Sequence, residues 1–238
     1  IPEVAGVVDL FEKATGDLRA APRLRLHVAD ARRFVRSTPE KYDVVVSDLF
    51  HPARDGASSL YTVEHFRAVR DVLRPKGLFC LWLPLYQMDL ATLRTIVRTF
   101  LSVYPDGRAL LAHYSLAAPI VGLVGGPGLR EYPENWLETR IRDERLARAA
   151  LAVRIGSTYE LLGGHLAGGS ALAAFAGDGP LNTDDHPVIA FTAPKYAYEG
   201  DEPPAARVLA LVDTMSPDDT IMTSGGEGRA RLAAYMIA

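Results

Sequence analysis

The residues best placed to do chemistry fall in the stretch Lys41 to Phe66, KYDVVVSDLFHPARDGASSLYTVEHF. The β-branched run Val44-Val45-Val46 reads as a buried strand ending at Ser47-Asp48. A loop with Pro52 and Gly56 follows, and a helix opens near Thr62. A carboxylate delivered in this way stands at the carboxyl edge of a sheet, where open α/β sheets bind their ligands. Asp48 is therefore the first candidate site residue; its competing reading is a turn former that caps local amides. His51 reads either as a proton acceptor beside Asp48 or as a loop histidine with no role. Tyr86 and Gln87 follow a later apolar strand, and there they either face a substrate or make a turn.

The elements that would position these groups alternate in kind. Val4, Val7, Val8 and Phe11 recur at helical spacing to about Ala14, with Pro2 at a favourable first position and Gly16 as a stop. Leu24, Leu26 and Val28 alternate with Arg25 and His27 as a short strand ending at Ala29-Asp30, and a helix begins at once. Asp30 on its own reads as that helix's N-cap. A second helix is expected over about Thr62 to Leu73, stopped by Pro75 and Gly77. A buried strand then runs over Leu78 to Leu83, and a third helix carries Leu93, Ile96, Val97, Phe100 and Leu101. Strands alternating with helices of this length predict an α/β, Rossmann-like domain with a mostly parallel sheet. Ala109 to Tyr114 and Ile120 to Val124 read as an antiparallel edge hairpin.

Downstream, Pro133 to Ala176 reads as helical with glycine-pair interruptions, Leu181 to Pro187 as a polar loop and Val188 to Phe191 as a short strand. Tyr196 to Pro204 reads as a linker before helices at about Ala205 to Met215 and Glu227 to Ile237. The division expected is a domain over residues 1–194 and an extension over 195–238. Asn182, Asp184, Asp185 and His186 resemble a metal cluster, but their loop setting favours Asx turns. Ser224 to Gly228, SGGEG, imitates a nucleotide loop without its full spacing and reads as a helix-start loop.

Composition narrows the function classes. The 238 residues are 48% hydrophobic and 23% charged with a net charge of −3, which fits an ordinary globular protein and no general nucleic-acid binder. The single cysteine, Cys80, excludes a disulfide framework and a cysteine zinc site, and suits a reducing, cytoplasmic compartment. No apolar run reaches the roughly 18 residues of a membrane span.

Three stretches taken together, LHVADARRFV, YDVVVSDLFHP and SSLYTVEHFRAVRDVLRPKGLF, resemble the spermidine synthase (polyamine aminopropyltransferase) family. The resemblance covers roughly Ile1 to Gly126 and implies the fold of class I S-adenosylmethionine-dependent methyltransferases. WLPLYQMD and LNTDDHPVIAFTAPK further resemble the bacterial branch fused to membrane-spanning segments, which implies such segments in the full-length protein. By this resemblance Asp30 and the Ala31 amide read the adenine of S-adenosylmethionine or its decarboxylated form, used as co-substrate. Asp48 takes the catalytic aspartate position with His51 beside it, and Tyr61 matches the family's aromatic that helps wall the site, its competing reading being a residue that packs the helix start. The implied partners are a small amine such as a polyamine and a second copy of the chain; no metal is expected.

The chain departs from the family at two points. The usual Asp, two residues, Asp-Pro becomes Asp48-Leu49-Phe50-His51-Pro52, and Leu81-Trp82 stands where a glutamine is usual. Three functions remain open: aminopropyl transfer to an amine, methyl transfer on the same fold, and a non-catalytic nucleoside-binding module. The resemblance also implies a strand, glycine-rich loop, helix and acid-ended strand before Ile1, so the chain is expected to be part of a longer protein. It further places Asp30 and Asp48 at one edge of one sheet.

Overall fold

Tyr42–Ser47 forms β1, and it lies parallel to β2, Leu73–Pro84, with Val44 opposite Leu78 and Ser47 opposite Leu81. This is a computed structural model, and it describes residues 10, 12–15, 20, 22–113, 115, 117–152, 155–199, 203–213, 222–223 and 230. The chain divides into two compact units, residues 1–40 and 41–238.

In the first unit a helical turn spans Glu12–Thr15, and α1 spans Ala31–Ser37 behind its N-cap Asp30. The strand expected over Leu24, Leu26 and Val28 is not formed: residues 24–28 are irregular, and all three apolar side chains are exposed. A strand is held by its ladder to a neighbour, and alternation alone does not supply one. Asp30 therefore ends no sheet strand. Most of the helix expected from Pro2 lies outside the described residues, as do SGGEG and nearly all of the helix expected over Glu227 to Ile237.

In the second unit β1 is followed by a 3-10 turn, Ala57–Tyr61, and by α2, Val63–Val72, whose N-cap Thr62 accepts from the His65 amide. After β2 come a 3-10 turn at Leu85–Gln87 and α3, Leu90–Leu101, capped by Asp89. Phe66 of α2, Phe79 of β2, Phe100 of α3 and Tyr104 form one aromatic core, with ring centroids 4.8 to 6.1 Å apart. Apolar spacing of 3.6 on the helices and 2 on β2 is what brings these rings together.

The sheet then turns antiparallel. β3, Arg108–His113, and β4, Ile120–Gly125, form the expected hairpin, but β4 pairs with β2 and β3 pairs with β6, His165–Gly168. The five-stranded order is β1-β2-β4-β3-β6, so the hairpin lies inside the sheet instead of at its edge. The α/β class holds, yet among the described strands of this sheet there is one parallel pairing and the rest are antiparallel.

The tract expected to be wholly helical holds a two-residue bridge β5, Tyr132–Pro133, then α4, Glu134–Ile141, α5, Glu144–Ala152, and α6, Thr158–Leu162. β6 follows, and then α7, Gly169–Ala176. The glycine pairs at 163–164 and 168–169 bracket β6, which four residues of pattern cannot reveal. Val188 to Phe191, expected as a strand, begins α8, Val188–Glu199. Four apolar residues do not separate the two periods, and the run continues through Ala193 and Lys195 at helical length. The 194/195 boundary falls inside α8. Beyond it lie α9, Pro204–Val212, and β7, Met222–Thr223, which pairs with β5. No helix of the described residues is long and apolar enough to cross a membrane.

β1, expected as buried, has no partner on its outer edge among the described residues, and Val44 and Val46 on one face are 58% and 55% exposed. The fixed point of this unit is Asn182, which is fully buried. Its Nδ2 donates to the carbonyls of Ser58 and Tyr61 at 3.2 and 3.0 Å, and its Oδ1 accepts from the Ile189 amide at 3.1 Å. Arg98 holds the preceding segment through the carbonyls of Ala176, Gly177 and Pro180. Replacing Asn182 by alanine removes three side-chain bonds and strands buried backbone groups. Chemical denaturation should show a loss of roughly 3 kcal/mol.

Candidate functional site

β1 and β2 run parallel, so the residues after their last paired positions emerge at the same end of the sheet. Asp48 directly follows β1 and is exposed; its Oδ1 accepts from the Leu49 amide at 2.8 Å. Its other carboxylate oxygen has no partner among the described residues. The local amide bond is the turn role expected of a strand-end aspartate, and it leaves half of the carboxylate available for a ligand.

The loop carrying Asp48 is pinned from behind. Tyr61 is fully buried at the end of the 57–61 turn, and its hydroxyl donates to the Phe50 carbonyl at 2.5 Å. Burial pushes the Tyr61 phenol well above its ordinary range, against a smaller opposing effect of the Phe50 bond, so the donor stays protonated. Tyr61 thus reaches the site through packing and a backbone anchor. Because Asn182 binds the Tyr61 carbonyl, the order of dependence runs from Asn182 through Tyr61 to Phe50 and Asp48.

His51 is half-buried, and its Nδ1 accepts from the Ala53 amide at 3.2 Å. A nitrogen that accepts carries no proton in the neutral ring, so the free nitrogen, Nε2, bears the hydrogen. His51 therefore presents a donor to the loop's surroundings. Pro52 is buried next to it, and the Arg54 amide donates to the His51 carbonyl at 3.0 Å, closing the loop.

At the neighbouring strand end, Tyr86 and Gln87 are half-buried in the 85–87 turn. That turn is fixed on both sides. The Leu85 amide donates to the Pro119 carbonyl at 3.0 Å, and the Leu85 carbonyl accepts from Nε of Arg207 at 2.6 Å. Arg207 of α9 is fully buried, with its guanidinium 5.2 Å over the Tyr196 ring and a bond to the Tyr196 hydroxyl at 2.8 Å. The tract read as linker and extension therefore braces a strand end of the sheet. Sequence reading missed this, although an arginine on the same helical face as Leu211 was the available signal.

Trp82 pairs with Gly122, and a Cβ on that glycine would lie 2.8 Å from the indole ring. The large side chain is accommodated by a missing one across the ladder. Among the described residues no group of three or more His, Cys, Asp or Glu is gathered as a metal ion would need, the 181–187 loop included. Thr183 and His186 close it through the bonds Thr183 N–H to His186 carbonyl and His186 N–H to Thr183 Oγ1, at 3.2 and 2.9 Å.

Asp30 lies in the other unit, where its Oδ1 accepts from the Arg33 amide at 2.7 Å and caps α1. Its second oxygen has no partner among the described residues. Ala31, as first residue of the helix, carries an amide that no intrahelical carbonyl can satisfy.

Residues 5–107 match the model of the spermine/spermidine synthase domain. The polyamine aminopropyltransferase of Synechococcus sp. (strain JA-2-3B'a(2-13)) is 36% identical over 103 residues, 42% of this chain and 32% of that protein. That of Sulfolobus acidocaldarius is 26% identical over 143 residues, 59% of this chain and 47% of that protein. The crystal structure of a probable spermidine synthase from Corynebacterium glutamicum aligns with a TM-score of 0.51 at 22% identity, covering 75% of this chain and 61% of that one. The chain spans about a third to a half of the length of these two curated relatives. The family model over residues 5–107, the relatives and the fold agree, and together they support a likeness of this part of the chain to the spermidine synthase family.

Proposed function

We propose that this chain carries the alkyl-transfer site of an aminopropyltransferase, moving an aminopropyl group from decarboxylated S-adenosylmethionine to an amine. The observation that carries the reading is Asp48: a strand-end carboxylate with one oxygen held by the Leu49 amide and the other open, on a loop pinned by Tyr61. The match of residues 5–107 to the spermine/spermidine synthase domain supports the reaction class.

The step is a displacement. The amine lone pair attacks the methylene carbon bonded to the sulfonium sulfur; the C–N bond forms as C–S breaks, and the electron pair neutralises the sulfur as a thioether. The nitrogen then carries one proton too many. The open oxygen of Asp48 accepts a hydrogen bond from the amine before attack and takes that proton afterwards, combining positioning with general-base catalysis. In this reading the open oxygen of Asp30 accepts from the adenine amino group, and the unsatisfied Ala31 amide donates to the ring.

His51 shapes the choice of acceptor. A diamine brings a second ammonium group that a second carboxylate would neutralise, and the Nε2 hydrogen of His51 offers a donor in its place. This favours an acceptor with a single cationic amine over a diamine. It equally leaves room for methyl transfer from intact S-adenosylmethionine, where no diamine pocket is needed. Thermal melting with each nucleoside separates the two, because a ligand at 100 times its Kd adds about 2.7 kcal/mol of stability.

Asp48→Asn should lower transfer, read by mass spectrometry of the products, by roughly a hundredfold or more. Its nucleoside affinity should stay close to that of the parent chain. Asp30→Ala should instead weaken nucleoside binding by about tenfold to a hundredfold in titration calorimetry, the loss of one charged hydrogen bond. Equal damage to both properties in both variants would refute the division of labour.

His51→Asp restores the family's second acid. Its transfer to a diamine should rise relative to a monoamine, as measured by competition between the two acceptors in one reaction. An unchanged preference would remove His51 from acceptor selection.

A further inference from the structure

At the end of the sheet opposite Asp48, the start of β2 meets the segment that leaves β4. The Gly128 amide donates to the Gly77 carbonyl and the Leu129 amide to the Gly126 carbonyl, both at 3.0 Å. A Cβ at Gly126, whose φ is 130°, would lie 2.6 Å from the Gly77 oxygen. One at Gly128 would lie 2.2 Å from the Lys76 oxygen, so only glycine lets the two backbones come this close. The close approach leaves a cleft of about 180 Å³ lined by Lys76, Pro127, Gly128, Arg130 and Tyr132.

The charges around it are unevenly matched. Arg74 is paired with Asp43 at 2.6 Å, and Arg70 lies 4.0 Å from Asp71. Lys41 donates to the Asp71 carbonyl. Lys76 and Arg130 have neither an ion pair nor a hydrogen bond among the described residues, and no carboxylate lines the cleft they share. The nearby acids are Glu131, which is exposed, and Asp106, which lines the adjoining cleft of about 230 Å³ with Arg70 and Tyr104. Arg130 is held in place by its position 5.2 Å over the Tyr132 ring, and Tyr132 is in turn stacked on Trp136 at 4.8 Å. Such support reduces the freedom the guanidinium loses when it binds.

We propose that this cleft binds a small phosphate-type oxyanion, independently of the Asp48 edge. An anion there meets two exposed cations that no carboxylate of the described residues engages. Arg130 offers a planar fork of donors suited to two oxygens, and Lys76 offers a compact charge.

The test is titration calorimetry of inorganic phosphate into the 238-residue chain at constant ionic strength, with chloride as the reference anion. Saturable binding of one phosphate is expected. Lys76→Gln and Arg130→Gln should each weaken it by about tenfold or more, the value of one charge-assisted bond. Arg74→Gln, which removes a cation already paired, should leave it unchanged. Circular dichroism without phosphate checks that each variant is folded, and Arg130→Lys keeps the charge should the glutamine variant fail to fold. No heat beyond that of chloride, or native-like binding in folded Lys76→Gln and Arg130→Gln, would overturn the proposal.

Discussion

A fully buried carboxamide leaves its surroundings few alternatives. Asn182 must satisfy two donors and an acceptor away from water, and each group left unpaired there would cost about 1–3 kcal/mol. Its bonds to Ser58, Tyr61 and Ile189, together with the Asn182 amide on Thr99 Oγ1 and the Val63 amide on the Asn182 carbonyl, lock the 57–61 turn against α2, α3 and α8. Tyr61 extends that rigidity to Phe50, two residues from Asp48. The carboxylate is therefore exposed while the backbone beneath it is tied to the core.

The same end of the sheet is braced from a second direction. Arg207 is a buried cation whose guanidinium is spread over a carbonyl, a phenol oxygen and an aromatic face. Because it holds Leu85, the turn bearing Tyr86 and Gln87 depends on a helix more than a hundred residues away in sequence. Two strand ends, each fixed by a distant polar side chain, are what give this edge a defined shape. β1 itself adds little of that support, since it pairs on one side only and carries two exposed valines.

What the sequence could reveal followed from the range of the interaction. β1, α2, β2, α3 and the β3–β4 hairpin were legible because their apolar residues repeat within a single element. The place of Asp48 at the end of β1 was legible for the same reason, as the polar residue ending a β-branched run. Residues 24–28 carried the right alternation but lacked a partner, and 188–191 was too short an apolar run to separate strand from helix. β6 hid between glycine pairs, its partner β3 lying more than fifty residues back. Asn182 read as a loop residue because its ligands at 58, 61, 99 and 189 are brought together only by the completed fold. Asp30 shows a helix cap plainly, and its adenine role belongs to the proposal.

The central claim is that the co-substrate is held at the carboxyl ends of β1 and β2. Amide hydrogen exchange of the 238-residue chain, with and without decarboxylated S-adenosylmethionine, tests it most directly. The account predicts added protection over residues 31–34, next to the proposed adenine contacts, and over residues 48–61 and 85–87. Protection confined to residues 70–76 and 126–132, or absent at saturating ligand, would contradict it.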